Sequence, residues 1–258
     1  NFFKDRHYMS DEFTELTRVR LSGAPTTLLE AGCGVGNSVF PLLEEIPSIK
    51  VFAADFAGTA IQLLKASKPY VKHGGTRCHA FVCDLSAPDG EYALVQNILG
   101  TEGEGGGGGG GKQVARPYSV NKVEYTPRAP AWAPRGGVDL AMMMFCLSAI
   151  DPAKHKRAIA NVARVMRPGA VLWFRDYAEA DHAQMRFKRE SRIDHKFYVR
   201  GDGTRSYFFG LDEIDGLMAS CGLAPVGDTK MIERVVNNRK KGEMMHRAWA
   251  HGRYRKKG

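Results

Sequence analysis

The chain has 258 residues, of which 43% are hydrophobic, and its 37 Lys and Arg residues exceed 28 Asp and Glu residues to give a net charge of +9. This length suits one large α/β domain or two small ones. The longest apolar run, residues 140–150, is far shorter than the roughly 20 residues of a membrane helix, which excludes an integral membrane protein. Five scattered cysteines without a CxxC pair exclude a disulfide scaffold and indicate a reducing compartment. The first residues contain no apolar run, so we expect no signal peptide in this sequence.

The predicted elements alternate in type along the chain. Short apolar runs at residues 26–31, 50–56, 77–84, 138–150 and 169–177 read as buried strands. Residues 37–45, 59–67 and 152–166 have apolar residues at helical spacing. Strands that alternate with helices predict an α/β fold with a parallel, doubly wound sheet. Further on, a hairpin is predicted around residues 201–203 and a helix over residues 211–220.

One segment breaks this pattern. Residues 101–137 contain seven consecutive glycines and then the proline-rich run YTPRAPAWAPRGG. Such a composition is typical of a flexible, low-complexity insertion that leaves and re-enters a domain at its surface. Residues 1–100 and 138–258 are therefore expected to form one interrupted domain.

The excess positive charge lies in the C-terminal third. Residues 230–258 hold ten Lys and Arg against two acidic residues, and residues 182–207 hold seven against three. Aromatic residues are interleaved with these cations, a pattern found on nucleic-acid-binding surfaces. The alternative is a solvated basic face with a tail.

A glycine-rich loop follows the first predicted strand directly. Residues 30–37 read EAGCGVGN, and Asn37 occupies the place of the third glycine in a dinucleotide fingerprint, which disfavours NAD or FAD. Asp55 closes the next strand, where it can accept hydrogen bonds from both ribose hydroxyls. Glu30 and the loop then face an amino-acid moiety, and Asp84 falls where an adenine amino group would lie. This pattern looks like that of class I S-adenosylmethionine-dependent methyltransferases. A spermidine-synthase-like enzyme shares the skeleton but lacks the basic C-terminal surface.

The nature of the methylated atom has to be read outside this loop. The fourth strand ends in MMMFCLSAI rather than a DPPY-like turn, which disfavours methylation of an exocyclic amine. Cys146 lacks a preceding proline and is better explained as a buried structural cysteine than as a nucleophile for carbon 5 of cytosine. A ring nitrogen has its own lone pair, so its methylation needs orientation, unpairing of the base, and a carboxylate that offsets the developing positive charge.

Several unusual strings carry a more specific resemblance. NFFKDRHYMSDEF, FCLSAIDP, the FRDY step within VMRPGAVLWFRDYAEADHAQMRF, and FYVRGDGTRSYFF together resemble the eukaryotic tRNA 3-methylcytidine methyltransferases. The resemblance implies a Rossmann-like class I methyltransferase fold with a mostly parallel seven-stranded sheet and helices on both faces. It also implies methyl transfer from S-adenosylmethionine to N3 of a cytidine in a tRNA anticodon loop, with an accessory protein or a tRNA synthetase assisting some members. Residues 1–25 would form a lid that contacts RNA, and residues 26–258 the methyltransferase domain.

The resemblance assigns roles residue by residue, and no metal is expected. Asp176 would lie beside the target cytosine, Tyr177 would stack on it or orient it, and Arg175 belongs to the same step. The cofactor-binding residues would be Glu30, Gly32, Gly34, Asp55, Asp84, Leu85, Met144 and Phe145. The RNA contacts would be Lys4, Arg6, His7, His182, Arg186, Lys188, Arg205, Tyr207, Arg234, Asn238 and Arg247.

Two other functions compete with this one. A methyltransferase-like RNA-binding or assembly subunit without activity would not bind S-adenosylmethionine. A small-molecule or protein methyltransferase would show no salt-dependent affinity for tRNA. For the leading function we expect an intracellular site of action in the cytoplasm, the nucleus or both, with the mitochondrion as the alternative.

Overall fold

A computed structural model describes residues 12–100, 116–238 and 243–258, with the side chains of 237, 238 and 243 left out. The helices are α1 (Thr14–Ser22), α2 (Val39–Glu45), α3 (Gly58–Ala66), α4 (Lys68–His73), α5 (Gly90–Ile98), α6 (His155–Arg164), α7 (His182–Met185) and α8 (Leu211–Ser220). The strands are β1 (Thr26–Ala31), β2 (Ile49–Asp55), β3 (Cys78–Val82), β4 (Tyr118–Val120), β5 (Val123–Tyr125), β6 (Val138–Met144), β7 (Met166–Tyr177), β8 (Arg192–Asp194), β9 (Phe197–Val199), β10 (Arg205–Tyr207), β11 (Leu223–Pro225), β12 (Lys230–Asn238) and β13 (Glu243–Lys256).

The central sheet confirms the predicted α/β class. Its order is β3-β2-β1-β6-β7-β13-β11, and the first five strands in this order run parallel. β13 runs antiparallel to β7. Both β11 and β12 pair with β13, so the described part of the sheet has eight strands where seven were expected. Because the carboxyl ends of the parallel strands share one edge, the residues that follow β1, β2, β3, β6 and β7 converge there.

The parallel strands are mostly buried, and in β7 the buried stretch begins at Ala170. β6 has only one partly exposed residue in seven, and β1 one in six. Burial on successive residues means that both faces of the sheet are covered, since neighbouring side chains point to opposite faces. Among the described helices, none is long and apolar enough to cross a membrane.

Helix α1 is attached to β7 and β13 by an aromatic stack. The ring of Phe13, which precedes the helix, lies 4.4 Å from that of Trp173 in β7 and 5.3 Å from that of His251 in β13. The indole nitrogen of Trp173 donates to a carboxylate oxygen of Glu15 at 3.1 Å. Residue 12, where the described chain begins, is thereby fixed close to the end of β7.

The expectation of a flexible insertion is wrong for residues 116–137. There the chain forms the hairpin β4–β5, and Tyr118, only 3% exposed, donates a hydrogen bond from its hydroxyl to the carbonyl of Val82. The ring of Trp132 packs at a tilt against that of Phe52, 4.7 Å away, and its indole nitrogen donates to the carbonyl of Gly75 at 3.0 Å. These aromatic side chains attach the segment to the free edge of β3, which composition alone did not reveal. Residues 101–115 lie outside the described residues.

Most predicted element boundaries agree with the structure within a few residues. The predicted helix over residues 152–166 is split into a single 3-10 turn, Pro152–Lys154, and α6. The predicted hairpin is confirmed as β9–β10, and β8 extends it to a three-stranded sheet.

Candidate active site

The glycine loop between β1 and α2 is held against two strands. The amides of Gly32 and Cys33 both donate to the carbonyl of Ala54, at 2.8 and 3.0 Å. Gly32 has a φ of +81°, and a Cβ at this position would lie 2.6 Å from both Cβ and Sγ of Cys146. Only glycine therefore allows the loop that follows β1 to approach the loop that follows β6.

Gly34 differs from Gly32 in its surroundings. Its φ is +54°, yet among the described residues no atom lies within 4 Å of the Cβ it would carry. Its amide donates to the carboxylate of Asp55 at 2.8 Å, and the amide of Ala57 donates to the other carboxylate oxygen at 2.9 Å. Burial raises the pKa of Asp55, and these two hydrogen bonds partly oppose the increase. Asp55 thus ties β2 to a loop that borders open space, as a ribose-binding carboxylate requires.

The next acidic residue lies at the end of β3. Asp84 accepts hydrogen bonds from the amide and the hydroxyl of Ser86, both at 2.8 Å and both on Oδ1. Leu85 is buried, and its carbonyl accepts a hydrogen bond from Asn161 at 2.8 Å. Glu30, at the end of β1, is also buried. The predicted residues therefore lie at the ends of three neighbouring strands, with Asp55 and Asp84 partly exposed. This arrangement fits the ribose, adenine and amino-acid parts of S-adenosylmethionine.

The end of β6 is the fourth strand end at this edge of the sheet. Met144 is buried, whereas Phe145 is partly exposed and has a φ of +56°, which is unusual for a bulky residue. Such a conformation costs on the order of 1–3 kcal/mol and is found most often at functional sites. Its amide donates to the carbonyl of Arg175 at 2.7 Å, and its ring lies 5.3 Å from that of Tyr177.

The structure also bears on Cys146 as a nucleophile. Burial, followed by the negative charges of Asp55 and Asp176, raises the pKa of the Cys146 thiol well above its usual value. A nucleophilic cysteine requires the opposite shift, since the thiolate is the reactive form. The geometry supports a structural role, in which Cys146 packs against Gly32, but the residue is partly exposed rather than buried as expected.

Along the FRDY step, the side chain of Asp176 lies on one face of β7, and those of Arg175 and Tyr177 lie on the other. Arg175 is only 3% exposed; it forms an ion pair with Glu12 and contacts Nδ1 of His251 at 3.0 Å. Burial and the charge of Arg175 lower the pKa of His251 to about 4. Arg175 therefore joins the N-terminal segment to β7 and β13 rather than facing an open cleft.

Asp176 is completely buried on the other face. It accepts hydrogen bonds from the amides of Ser148 and Tyr177, both at 2.9 Å. Burial raises its pKa to about 6, although the hydrogen bonds from Ser148 oppose the increase. The side chain thus fixes the 3-10 turn Leu147–Ala149 that follows Phe145.

Tyr177, at the end of β7, is surrounded by cations and aromatic rings. The guanidinium carbons of Arg200 and Arg247 lie 4.9 and 5.5 Å from its ring centre. Trp249, in β13, lies opposite Tyr177 in the pairing of β13 with β7, and its ring contacts that of Phe145 edge-on at 6.0 Å. The indole nitrogen of Trp249 is buried and has no hydrogen-bond partner among the described residues.

Two of the expected RNA contacts are not on a free surface. Tyr207 is 7% exposed and donates to Glu213 at 2.5 Å, so its predicted place on an RNA-facing surface is wrong. Arg247 has a side chain only 19% exposed and is paired with the buried Asp181 at 2.9 Å.

The other RNA candidates vary in exposure. Arg186, Lys188 and Arg205 are exposed, and Arg234 is 58% exposed although it contacts Glu12 at 3.1 Å. His182, Arg186 and Lys188 are at helical spacing in the sequence, but they do not share one helix, because α7 ends at Met185. Nδ1 of His182 is buried without a hydrogen-bond partner among the described residues. Lys4, Arg6 and His7 lie outside the described residues, as does the side chain of Asn238.

Sequence reasoning missed three residues at this edge: Asp181, Arg200 and Trp249. Arg200 and Trp249 belong to the basic and aromatic C-terminal third, so composition indicated the region in which they lie but not their position at this edge of the sheet. Asp181 follows FRDY by only a few residues, but no local pattern indicates that its carboxylate is buried.

Comparisons with known proteins agree with this geometry. A family model described as a methyltransferase domain matches residues 4–226. A solved structure of a SAM-dependent methyltransferase from Methanosarcina mazei is similar in fold, with a TM-score of 0.55, 15% identity and coverage of 90% of this chain and 93% of its own.

Two curated relatives are much closer in sequence. The human protein named tRNA N(3)-cytidine methyltransferase METTL6 is 36% identical over 99% of this chain and 75% of its own length. The zebrafish (Danio rerio) protein named tRNA N(3)-cytidine methyltransferase METTL2 is 34% identical over 99% of this chain and 69% of its own length.

Proposed function

The chain belongs to the tRNA N(3)-cytidine methyltransferase family, and from this premise we propose that it transfers a methyl group from S-adenosylmethionine to N3 of a cytidine in a tRNA anticodon loop. The identity of about a third over nearly the whole chain is the observation that carries the proposal. The order of glycine loop, Asp55 and Asp84 along one edge of the sheet independently supports the binding of S-adenosylmethionine.

Residues from four strand ends would hold the cofactor. Asp55 would accept hydrogen bonds from the ribose, Asp84 and Leu85 would border the adenine, and Glu30 with Gly32 and Gly34 would form the amino-acid side. Met144 and Phe145 would line the side toward the substrate. When bound, S-adenosylmethionine would supply an electrophilic methyl group: the lone pair of cytosine N3 would attack the methyl carbon, the sulfur–methyl bond would break, and S-adenosylhomocysteine would leave. Because N3 has its own lone pair, no general base is needed.

The chain's own residues then have to orient the base and stabilise charge. The rings of Phe145 and Tyr177 lie 5.3 Å apart at the ends of β6 and β7, where they offer aromatic surface for orienting a base. Methylation of N3 makes the base cationic, and a carboxylate near it lowers the energy of the transition state. Asp176 is the carboxylate at this strand end, and Ser148 and Tyr177 hold it in place. Because its side chain is fully buried, it acts through its charge and through the turn that it fixes.

The exposed cations of the C-terminal third bind the tRNA backbone. Arg186, Lys188, Arg205 and Arg234 all present charge to solvent. Contacts with phosphates predict that the logarithm of the tRNA affinity falls linearly with the logarithm of salt concentration. An accessory protein or a tRNA synthetase is the expected partner, and the cytoplasm or nucleus, with the mitochondrion as alternative, is the expected location.

The test is a methylation assay on tRNA that lacks the modification. Purified protein and S-adenosylmethionine are incubated with this tRNA, and 3-methylcytidine is measured by nucleoside mass spectrometry. We expect the nucleoside to appear, and to disappear when the anticodon-loop cytidines are replaced by uridine. Asp176→Ala should lose product while tRNA affinity stays nearly unchanged, and Asp176→Asn serves as the variant that keeps side-chain size.

Two outcomes would contradict the proposal. A chain that binds S-adenosylmethionine in calorimetry but yields no 3-methylcytidine, alone or with a tRNA synthetase added, acts on another substrate. A chain that gives no heat of binding is an inactive subunit.

A further inference from the structure

We propose that Asp181 is a positioning residue for methyl transfer: its ion pair with Arg247 holds the ring of Tyr177 at the carboxyl end of β7. This inference rests on the proposed function and adds a residue that neither the sequence patterns nor the resemblance assigned.

Asp181 is placed at a junction of three segments. Its carboxylate is fully buried and accepts the amide of Ala183 at 2.7 Å on Oδ1, which caps α7. The other oxygen accepts the amide of Ala248 in β13 at 2.8 Å. Nε of Arg247 lies 2.9 and 3.2 Å from the two oxygens. One carboxylate thus joins the loop after β7, the start of α7 and the middle of β13.

The loop between Tyr177 and Asp181 is short and fixed by its backbone. The amide of Ala178 donates to the carbonyl of Ala248 at 3.0 Å, and that of Glu179 donates to the carbonyl of Phe209 at 3.1 Å. Ala180 adopts a φ of +65°, which strains a residue other than glycine. Any movement of Asp181 is therefore passed to the end of β7 within four residues.

Arg247 is the link between the carboxylate and the ring. Its Nε faces Asp181 while its guanidinium carbon lies 5.5 Å from the ring centre of Tyr177. Since its charge is paired with a buried carboxylate and only 19% of its side chain is exposed, it is poorly suited to bind phosphate. It is well suited to hold an aromatic ring through a cation–π contact.

The perturbation is Asp181→Asn, which keeps the size of the side chain. An amide has one acceptor oxygen, so it cannot accept from Ala183, Ala248 and Arg247 together. Arg247 then loses its partner and its fixed place over Tyr177. We expect kcat to fall about tenfold or more, while KM for tRNA and for S-adenosylmethionine changes less than about threefold. Arg247→Gln should give a similar loss, and the double variant should be no worse than either single variant.

The matched control is Asp139→Asn at the opposite end of the sheet. Asp139 accepts from the amide and hydroxyl of Thr27 at 2.7 and 2.8 Å and from Nε of Arg167 at 2.6 Å. It therefore resembles Asp181 in its mixture of partners but is remote from the carboxyl edge. Asp139→Asn should lower the urea midpoint of unfolding and leave kcat of the folded protein unchanged.

A second readout does not depend on activity. Protein labelled with 3-fluorotyrosine gives a ¹⁹F resonance for Tyr177, assigned through Tyr177→Phe. This resonance should shift in Asp181→Asn and in Arg247→Gln but not in Asp139→Asn. A Tyr177 resonance that is unmoved in Asp181→Asn overturns the positioning role, as do additive losses of kcat in the double variant. Wild-type protein that forms no 3-methylcytidine refutes the proposed function instead, and the ¹⁹F shifts still decide whether Asp181 holds the ring.

Discussion

Replacement of Gly32 by alanine tests the central packing contact of the cofactor edge. The variant places a methyl group in a backbone region that disfavours residues other than glycine, at a cost of about 1–2 kcal/mol. It also brings the new Cβ to 2.6 Å from two atoms of Cys146, where about 3.5–4.0 Å is the preferred carbon separation. Relief of this overlap requires a shift of the loop and adds about 1–3 kcal/mol. The free energy of unfolding should therefore fall by roughly 2–5 kcal/mol.

The matched control is Gly203→Ala in the β9–β10 hairpin. Gly203 has the same φ of +81°, but among the described residues no atom lies within 4 Å of its added Cβ. This variant should lose only the backbone contribution of about 1–2 kcal/mol. Urea unfolding followed by circular dichroism measures both values, and calorimetry measures S-adenosylmethionine affinity, which should fall only for Gly32→Ala. Equal urea midpoints for the two variants would refute the reasoning, because the contact with Cys146 would then contribute nothing.

Three further predictions concern buried polar groups. Because burial raises the pKa of Asp176 to about 6, above its value in the unfolded chain, wild-type protein should lose about 2 kcal/mol of unfolding free energy relative to Asp176→Asn as the pH rises from 4 to 7. A parallel pH dependence of the two proteins in urea titrations would contradict this. Glu12→Gln removes the carboxylate paired with the buried Arg175, and the free energy of unfolding measured in urea should fall by about 3 kcal/mol. An unchanged urea midpoint would show that the ion pair does not contribute to stability. Tyr118→Phe removes the hydrogen bond to Val82, so the free energy of unfolding should fall by about 1–2 kcal/mol and proteolysis within residues 116–137 should become faster. An unchanged rate of cleavage would mean that other contacts attach the segment.

The strand ends and the glycine loop were predictable because their signals are local. The glycine loop lies between an apolar run and a helical pattern that are adjacent in the sequence. Asp55 and Asp84 each end an apolar run that alternates with predicted helices. The fold class then follows from the order of elements, and parallel strands bring their carboxyl ends to one edge. For the same reason the boundaries of β1, β2 and α8 differ little from those expected.

The glycine loop, the acidic strand ends and the basic C-terminal third could be located from local patterns, since each of these depends on neighbouring residues. Which charges are buried, and what they bind, follows from the packing of segments that are distant in the chain. Arg247 meets Asp181 across 66 positions, His251 meets Arg175 across 76, and Glu12 meets Arg175 across 163. These pairs depend on the order and register of β7 and β13, which no local pattern encodes. Whether a cation binds RNA or holds an aromatic ring is therefore decided by burial and by a partner distant in the chain.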